Sequence, residues 1–364
     1  MRTGPSLRLC ALLLCVCLLW AACGCPLTPP EWAQLPQTLQ RILARAPAQA
    51  LLLWRSWLLH PPALLSRDFA GALRAMGSVT LRVWNGERQS PEEMALESYV
   101  LGVTAAEMPA GYAPAALQCQ AVAARTRAIS TCLALGGNGC RSHPDCDVCT
   151  SSACCQGYLS AEGRREKWGD TAEVYEARLA AAVRQTAGQI LVWDGLPIET
   201  LYHACSGGVT EDAAAVFSRS VPYLVSVDSP GEEQATGFEV RTEMTRAEAA
   251  QALCAAFPGC GVTAEQLPAQ LKLLSSTASR RISRVRVGSA EVTGAAFRQA
   301  LGLRSTLCTW EADGDSITFT SRGYGHGVGM SQVGAQAMAA SGAECPAILA
   351  HYYPGTSLVT LPEE

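Results

Sequence analysis

The sequence predicts a mixed α+β main domain with a smaller inserted subdomain, preceded by an N-terminal apolar segment that is a signal or a membrane anchor. Three observations point there. Short alternating strands are bounded by turn dipeptides such as Asn85-Gly86 and Asp194-Gly195. Long apolar helices begin at proline and stop at glycine. No internal repeat offers a solenoid instead.

Taken in order, Arg2 and Arg8 precede an apolar run from Leu9 to Cys23, the layout of a secretory leader. As a helix its 15 residues reach about 22 Å, short of a hydrocarbon core of about 30 Å. A cleaved signal and an uncleaved anchor both satisfy residues 1–25. Residues 26–77, rich in Pro, Leu, Trp and Arg, read as a spacer. The main domain then begins at Ser78, with a strand over 78–84 and a turn at Asn85-Gly86. Ser90-Pro91-Glu92-Glu93 has the form of a capping box with proline at the first helical position, which predicts a helix from there to Met108. A second helix is predicted from Pro114 to Leu135, closed by Gly136-Gly137.

Farther on, the runs 190–193 and 196–202 flank Asp194-Gly195 as a hairpin. Residues 229–311 read as the inserted subdomain. The last strand, 316–320, leads into the glycine-alternating loop Gly323-Tyr324-Gly325-His326-Gly327-Val328-Gly329 and a helix over 331–340. The main domain extends to residue 364.

Composition narrows the function classes. Lys plus Arg is 28 against 32 Asp plus Glu, with no block of like charge, which argues against a nucleic-acid partner. Of the 17 cysteines five lie in the leader, and six of the others cluster from Cys132 to Cys155. In an exported chain cysteines ordinarily pair, yet this clustering suits a metal site better than long-range staples.

Glu107 is the candidate catalytic group. It follows Leu96, Val100 and Val103 at helical spacing, so its carboxyl group shares an apolar stripe. Lost hydration raises a carboxyl pKa toward the range a general acid needs. The glycine loop frees backbone amides to face a ligand and presents Tyr324 and His326. His203 and Ser206 resemble a nucleophile pair in composition only, because G-x-S-x-G is absent.

Together these segments resemble the sporulation stage II protein D and amidase-enhancer family. The resemblance rests on Glu97-Ser98-Tyr99-Val100-Leu101-Gly102-Val103 with Ala106-Glu107-Met108-Pro109, and on Gln120-Ala121-Val122-Ala123-Ala124-Arg125-Thr126. It rests further on His203-Ala204-Cys205-Ser206-Gly207-Gly208, and on residues 323–332 followed by His351-Tyr352-Tyr353-Pro354-Gly355-Thr356. It covers roughly residues 78–360. The resemblance implies a membrane-anchored lytic transglycosylase of peptidoglycan in a spore-former, with the extracytoplasmic domain acting during engulfment beside a cell-wall amidase. Glu107 would be the acid. Tyr202, His203, Ser206, Tyr324, His326 and Gln332 are the candidates to bind the glycan strand. A non-catalytic enhancer of an amidase is the alternative.

A structural zinc is expected on His143, Cys149, Cys154 and Cys155, spaced His-x5-Cys-x4-Cys-Cys. The resembled family carries a His and Cys metal cluster here. This sequence departs from it at Cys154, where histidine would stand. Cys140 and Cys146 leave alternatives open, since either could replace a named ligand or pair with the other as a disulfide.

Overall fold

The computed structural model describes residues 67–76 and 78–361. The leader and most of the spacer lie outside the described residues. Within the stretch read as spacer, helix α1 (Arg67–Met76) places Phe69 and Leu73 in the same core as Leu81 and Tyr99, so the folded unit starts before Ser78.

Strand β1 (Thr80–Asn85) pairs antiparallel with β2 (Ser90–Ala95). This corrects the helix expected from Ser90. The Asn85 side chain accepts the N–H groups of Glu87 and Arg88, which turns the chain, and Glu92 is engaged by Asn85 and Arg88 instead of capping a helix. Helix α2 (Leu96–Glu107) begins only where the Leu96 N–H reaches the Val79 carbonyl. Helix α3 (Pro114–Thr131) has the predicted proline start. It ends four residues early in a 3₁₀ turn, Leu133–Leu135, and Gly136 takes a φ of 84°. Both helices are buried nearly all round, the mark of central elements. Arg125, fully buried, holds α3 to α2 through a two-pronged bond to Glu97 at 2.7 and 2.6 Å, and reaches the carbonyls of Val183 and Gln189 as well.

After α3 the chain makes a long cysteine-rich loop whose only strand, β3 (Val148–Cys149), runs parallel to β1. Helices α4 (Ala161–Trp168) and α5 (Ala172–Gln185) follow. Next come β4 (Gln189–Trp193) and β5 (Leu196–Pro197), joined by Asp194 and Gly195 at φ 50° and 75°, the left-handed pair that a tight hairpin turn requires. The second strand is shorter than the sequence predicts. It ends at Pro197, with one further bond from the Ile198 N–H to the Leu191 carbonyl. The chain then forms a separate strand, β6 (Tyr202–His203).

The short helix α6 (Ala213–Phe217) precedes a subdomain with its own core. It comprises β7 (Glu239–Thr245), α7 (Arg246–Ala256), β8 (Leu271–Ser276), β9 (Ile282–Val287), β10 (Ala290–Thr293), α8 (Gly294–Ala300), β11 (Cys308–Asp313) and β12 (Ser316–Arg322). Its sheets have the orders β10-β9-β8 and β11-β12-β7. Strand β12, read from sequence as the last strand of the main domain, instead buries Ile317 and Phe319 with Phe297 in this core. The chain returns through β13 (Met330–Ser331), which runs parallel to β6. Helices α9 (Gln332–Ala340) and α10 (Cys345–Tyr352) follow, and β14 (Ser357–Thr360) closes against β4. The fold is a mixed α+β one. Among the described residues no helix is long and apolar enough to cross a membrane.

A candidate active site beside the cysteine cluster

A cleft of about 950 Å³ opens where the end of α2, the cysteine-rich loop, β6 and the glycine loop meet. Glu107 lies in its wall. The last turn of α2 carries it past the apolar residues that bury the rest of the helix, and Pro109 ends the helix behind it. Burial raises its pKa above the usual carboxylate value, and the Gly157 N–H and the Tyr202 hydroxyl hold part of that rise back. The Gly157 N–H donates to Glu107 Oε1 at 2.6 Å. A Cβ on Gly157 would lie 3.0 Å from that oxygen, so only glycine brings its amide in without crowding. Tyr202 donates to Gln156 Oε1 at 3.0 Å, and Gln332 donates to Gln120 at 3.1 Å. Glu199 is the other carboxylate of the cleft, held between Arg127 and Arg219. Sequence reasoning missed Gln156, Gly157 and Glu199. Only the position of the first two, directly after Cys155, could have flagged them.

Gln156 and Gly157 directly follow a loop that backbone bonds tie to Thr131, Arg82 and Trp84 and in which four thiols converge. The Sγ atoms of Cys140, Cys149, Cys154 and Cys155 all lie within 4.8 Å of one another. Three of the four expected ligands therefore converge, and Cys140 stands where His143 was expected. The His143 ring is stacked on Trp84 instead, centroids 4.1 Å apart and ring planes nearly parallel. Burial works against a thiolate at Cys154, but the Ser142 hydroxyl and backbone outweigh it and bring its pKa to about 6. Four sulfurs around zinc at about 2.3 Å would stand about 3.8 Å apart. The observed Cys140 to Cys154 separation of 3.5 Å and Cys154 to Cys155 separation of 4.0 Å bracket that value, so the donor set fits.

On the opposite wall the glycine loop is ordered by buried polar groups. His203 Nδ1 lies 3.1 Å from the Val328 carbonyl and donates to it, which leaves Nε2 buried without a partner. Burial, then His326, depress the His203 pKa far below the imidazole value. His326 accepts the Val328 N–H through Nδ1, and burial with the Arg298 charge brings its pKa down to about 4. Both rings are thus neutral near neutral pH. Tyr324 is 46% exposed with Arg304 4.4 Å from its ring centre. Tyr202, His203, Tyr324, His326 and Gln332 all line the cleft.

Ser206 does not. It is fully buried and donates to Glu232 at 2.9 Å, and the same carboxylate takes the N–H groups of Ser206, Gly207 and Gly208 and the Ser229 hydroxyl. Burial alone would raise the Glu232 pKa, but these donors together with Ser331 hold it below the usual value. Ser206 therefore shapes the turn after β6.

Fold and cleft define an α+β protein whose cleft holds two half-buried carboxyl groups, one of them, Glu107, without an ion pair among the described residues. Residues 85–193 match the family model described as stage II sporulation protein. The chain is 35% identical over 280 residues to stage II sporulation protein D of Bacillus subtilis (strain 168), covering 77% of this chain and 79% of that protein. It is 32% identical over 301 residues to the protein of the same name in Bacillus amyloliquefaciens, covering 82% and 85%. An amidase enhancer of Bacillus subtilis (strain 168) is 28% identical over 308 residues, covering 71% of this chain and 40% of the enhancer. The chain belongs to the stage II sporulation protein D family, a family of sporulation proteins.

Proposed function

We propose that the protein is a lytic transglycosylase that cuts the bond between N-acetylmuramic acid and N-acetylglucosamine in peptidoglycan during sporulation. The observation that carries this reading is the contrast between the two carboxyl groups of the cleft. Glu107 is half-buried, raised in pKa and free of any ion pair among the described residues, whereas Glu199 is bound to two guanidinium groups. Hydrolytic glycosidases ordinarily need two working carboxyl groups. Here Glu107 protonates the glycosidic oxygen as the bond to C1 breaks. The C6 hydroxyl of the same muramic acid attacks C1, closes a 1,6-anhydro ring, and gives its proton to the Glu107 carboxylate. No water is consumed and the acid is regenerated. Tyr202 and the Gly157 N–H keep the carboxyl group oriented through both transfers.

Zinc on Cys140, Cys149, Cys154 and Cys155 would play a structural part, fixing the segment that carries Gln156 and Gly157. We place the protein at the cell membrane with this domain outside the cytoplasm, on the strength of the apolar leader. The amidase-enhancer relative supports a cell-wall amidase as partner, and it favours a second reading in which the chain binds glycan and aids that amidase without cutting. Mass analysis of products from purified glycan strands separates the two. Ends lighter by a water than hydrolytic ends are expected. Unchanged strands would leave the enhancer reading.

A further inference from the structure

We propose that Cys254 and Cys260, in the inserted subdomain, are a disulfide-forming pair that a small-molecule or protein disulfide closes outside the cytoplasm. The oxidising surroundings rest on the extracytoplasmic placement above, and the geometry rests on the subdomain alone. The two Sγ atoms are 3.6 Å apart, in van der Waals contact. Closing to the bonded distance of about 2.05 Å moves each by about 0.8 Å, within reach of a small side-chain rotation.

The backbone on either side is held by other contacts, so this approach is built into the subdomain. Cys254 lies in the last turn of α7, where Leu253 is packed in the core and its carbonyl takes the Phe257 N–H that ends the helix. Gly259, at φ 80°, turns the chain back. The Cys260 carbonyl then accepts the Ser289 N–H at 2.8 Å and the Ser289 hydroxyl at 3.2 Å, from the turn between β9 and β10. That turn comes so close that a Cβ on Gly288 would collide with the same carbonyl oxygen. A bond between the sulfurs would therefore lock the end of α7 to this turn.

The other sulfur contacts differ. The four-sulfur set has the donors of a metal site, whereas among the described residues no third Cys, His or carboxylate joins Cys254 and Cys260 in a ligand set. Cys119 and Cys345 are both buried, which keeps an oxidant out. Cys205 and Cys308 donate to Glu232 and to the Thr309 carbonyl. Cys254 is half-buried while Cys260 is 2% exposed, so an incoming disulfide meets Cys254 first. Each thiol gives up its proton before it attacks. The Cys254 thiolate attacks the oxidant's disulfide, forming a mixed disulfide and releasing one oxidant thiolate. The Cys260 thiolate then attacks the Cys254 sulfur and releases the second. Two protons and two electrons thus pass from the cysteines to the oxidant, which leaves as two thiols.

The test maps the bond in the full chain. Trypsin cuts after Arg246 and Lys272, so residues 247–272 leave as one peptide with Cys254, Cys260 and no other cysteine. The reduced, purified protein is exposed to oxidised glutathione, and its remaining thiols are then blocked with an alkylating reagent. The peptide is expected to be two hydrogens lighter and unlabelled, and protein blocked at harvest from spore-forming cells should yield the same peptide. Two labels, or a stable glutathione adduct on Cys254, would overturn the proposal. Closure should raise the melting temperature by about 3 to 6 °C. Cys254→Ser given the same treatment should show none of that rise, and an equal rise in the variant would count against the bond. Labelling of intact cells with a membrane-impermeant reagent locates the domain separately, so failure of the placement is distinguishable from failure of the pair to close.

Discussion

The two walls of the cleft hold their loops in opposite ways. Between α3 and α4 the chain has one strand of two residues, a set of short-range backbone bonds, and four converging thiols that a zinc ion would tie together. The glycine loop and the turn after β6 are instead wired through buried side chains, above all Glu232 and Arg281. Gly327, at φ 84°, shows how closely: a Cβ there would lie 2.8 Å from the Arg281 guanidinium. The lesson is that sulfur can position a loop of almost any composition, whereas the polar route needs the correct donor at each step.

Between the two walls, the larger expected effect on activity comes from the sulfur side. Cys149→Ser, or dialysis against a chelator, should release bound zinc and lower activity by about tenfold to a hundredfold, because Gln156 and Gly157 lose their anchor. Metal analysis with thiol counting checks it. Absence of zinc with these cysteines fully oxidised would remove the metal from the account.

On the polar side, Glu232→Ala should cost about 3 kcal/mol in unfolding experiments, since it leaves several buried donors without an acceptor. A loss below about 1 kcal/mol would mean that the network matters less than its geometry indicates.

Gly157→Ala should act on function more than on stability. An activity loss of about tenfold is expected, with unfolding free energy changed by less than about 1 kcal/mol, because the crowding falls on the Glu107 carboxyl group.

A pH dependence of stability is also expected. His326 titrates near 6.5 when unfolded and at about 4 in the fold. The unfolded chain thus binds the extra proton between those values, and stability should fall as pH drops through that window. A melting temperature flat from pH 7 to 4 would contradict the buried, neutral ring.

How much of this was legible depended on range. The Asp194-Gly195 turn, the proline start of α3 and the glycine loop are local, and local chemistry announces them. The helix expected at Ser90 was also argued locally, but pairing with β1 over six residues overrode the capping pattern. His143 has the right spacing for a ligand, yet its ring is taken by Trp84, 59 positions earlier and in contact only through the fold. Ser206 looked like a cleft residue because Glu232, its partner 26 positions on, has no sequence signal. Arg298 was invisible for the same reason: the insert's own packing brings it to the cleft.

The central claim is that Glu107 is the acid of a glycan-cutting site, and the most direct measurement compares Glu107→Gln with the unmutated protein on purified glycan strands. The amide keeps the shape and can hydrogen-bond, but it has no proton to give. Cleavage is expected to fall by about 10² to 10⁴ while strand binding and melting temperature stay as they were. Activity within about threefold of the unmutated protein would contradict the claim, since general acid catalysis contributes far more than that.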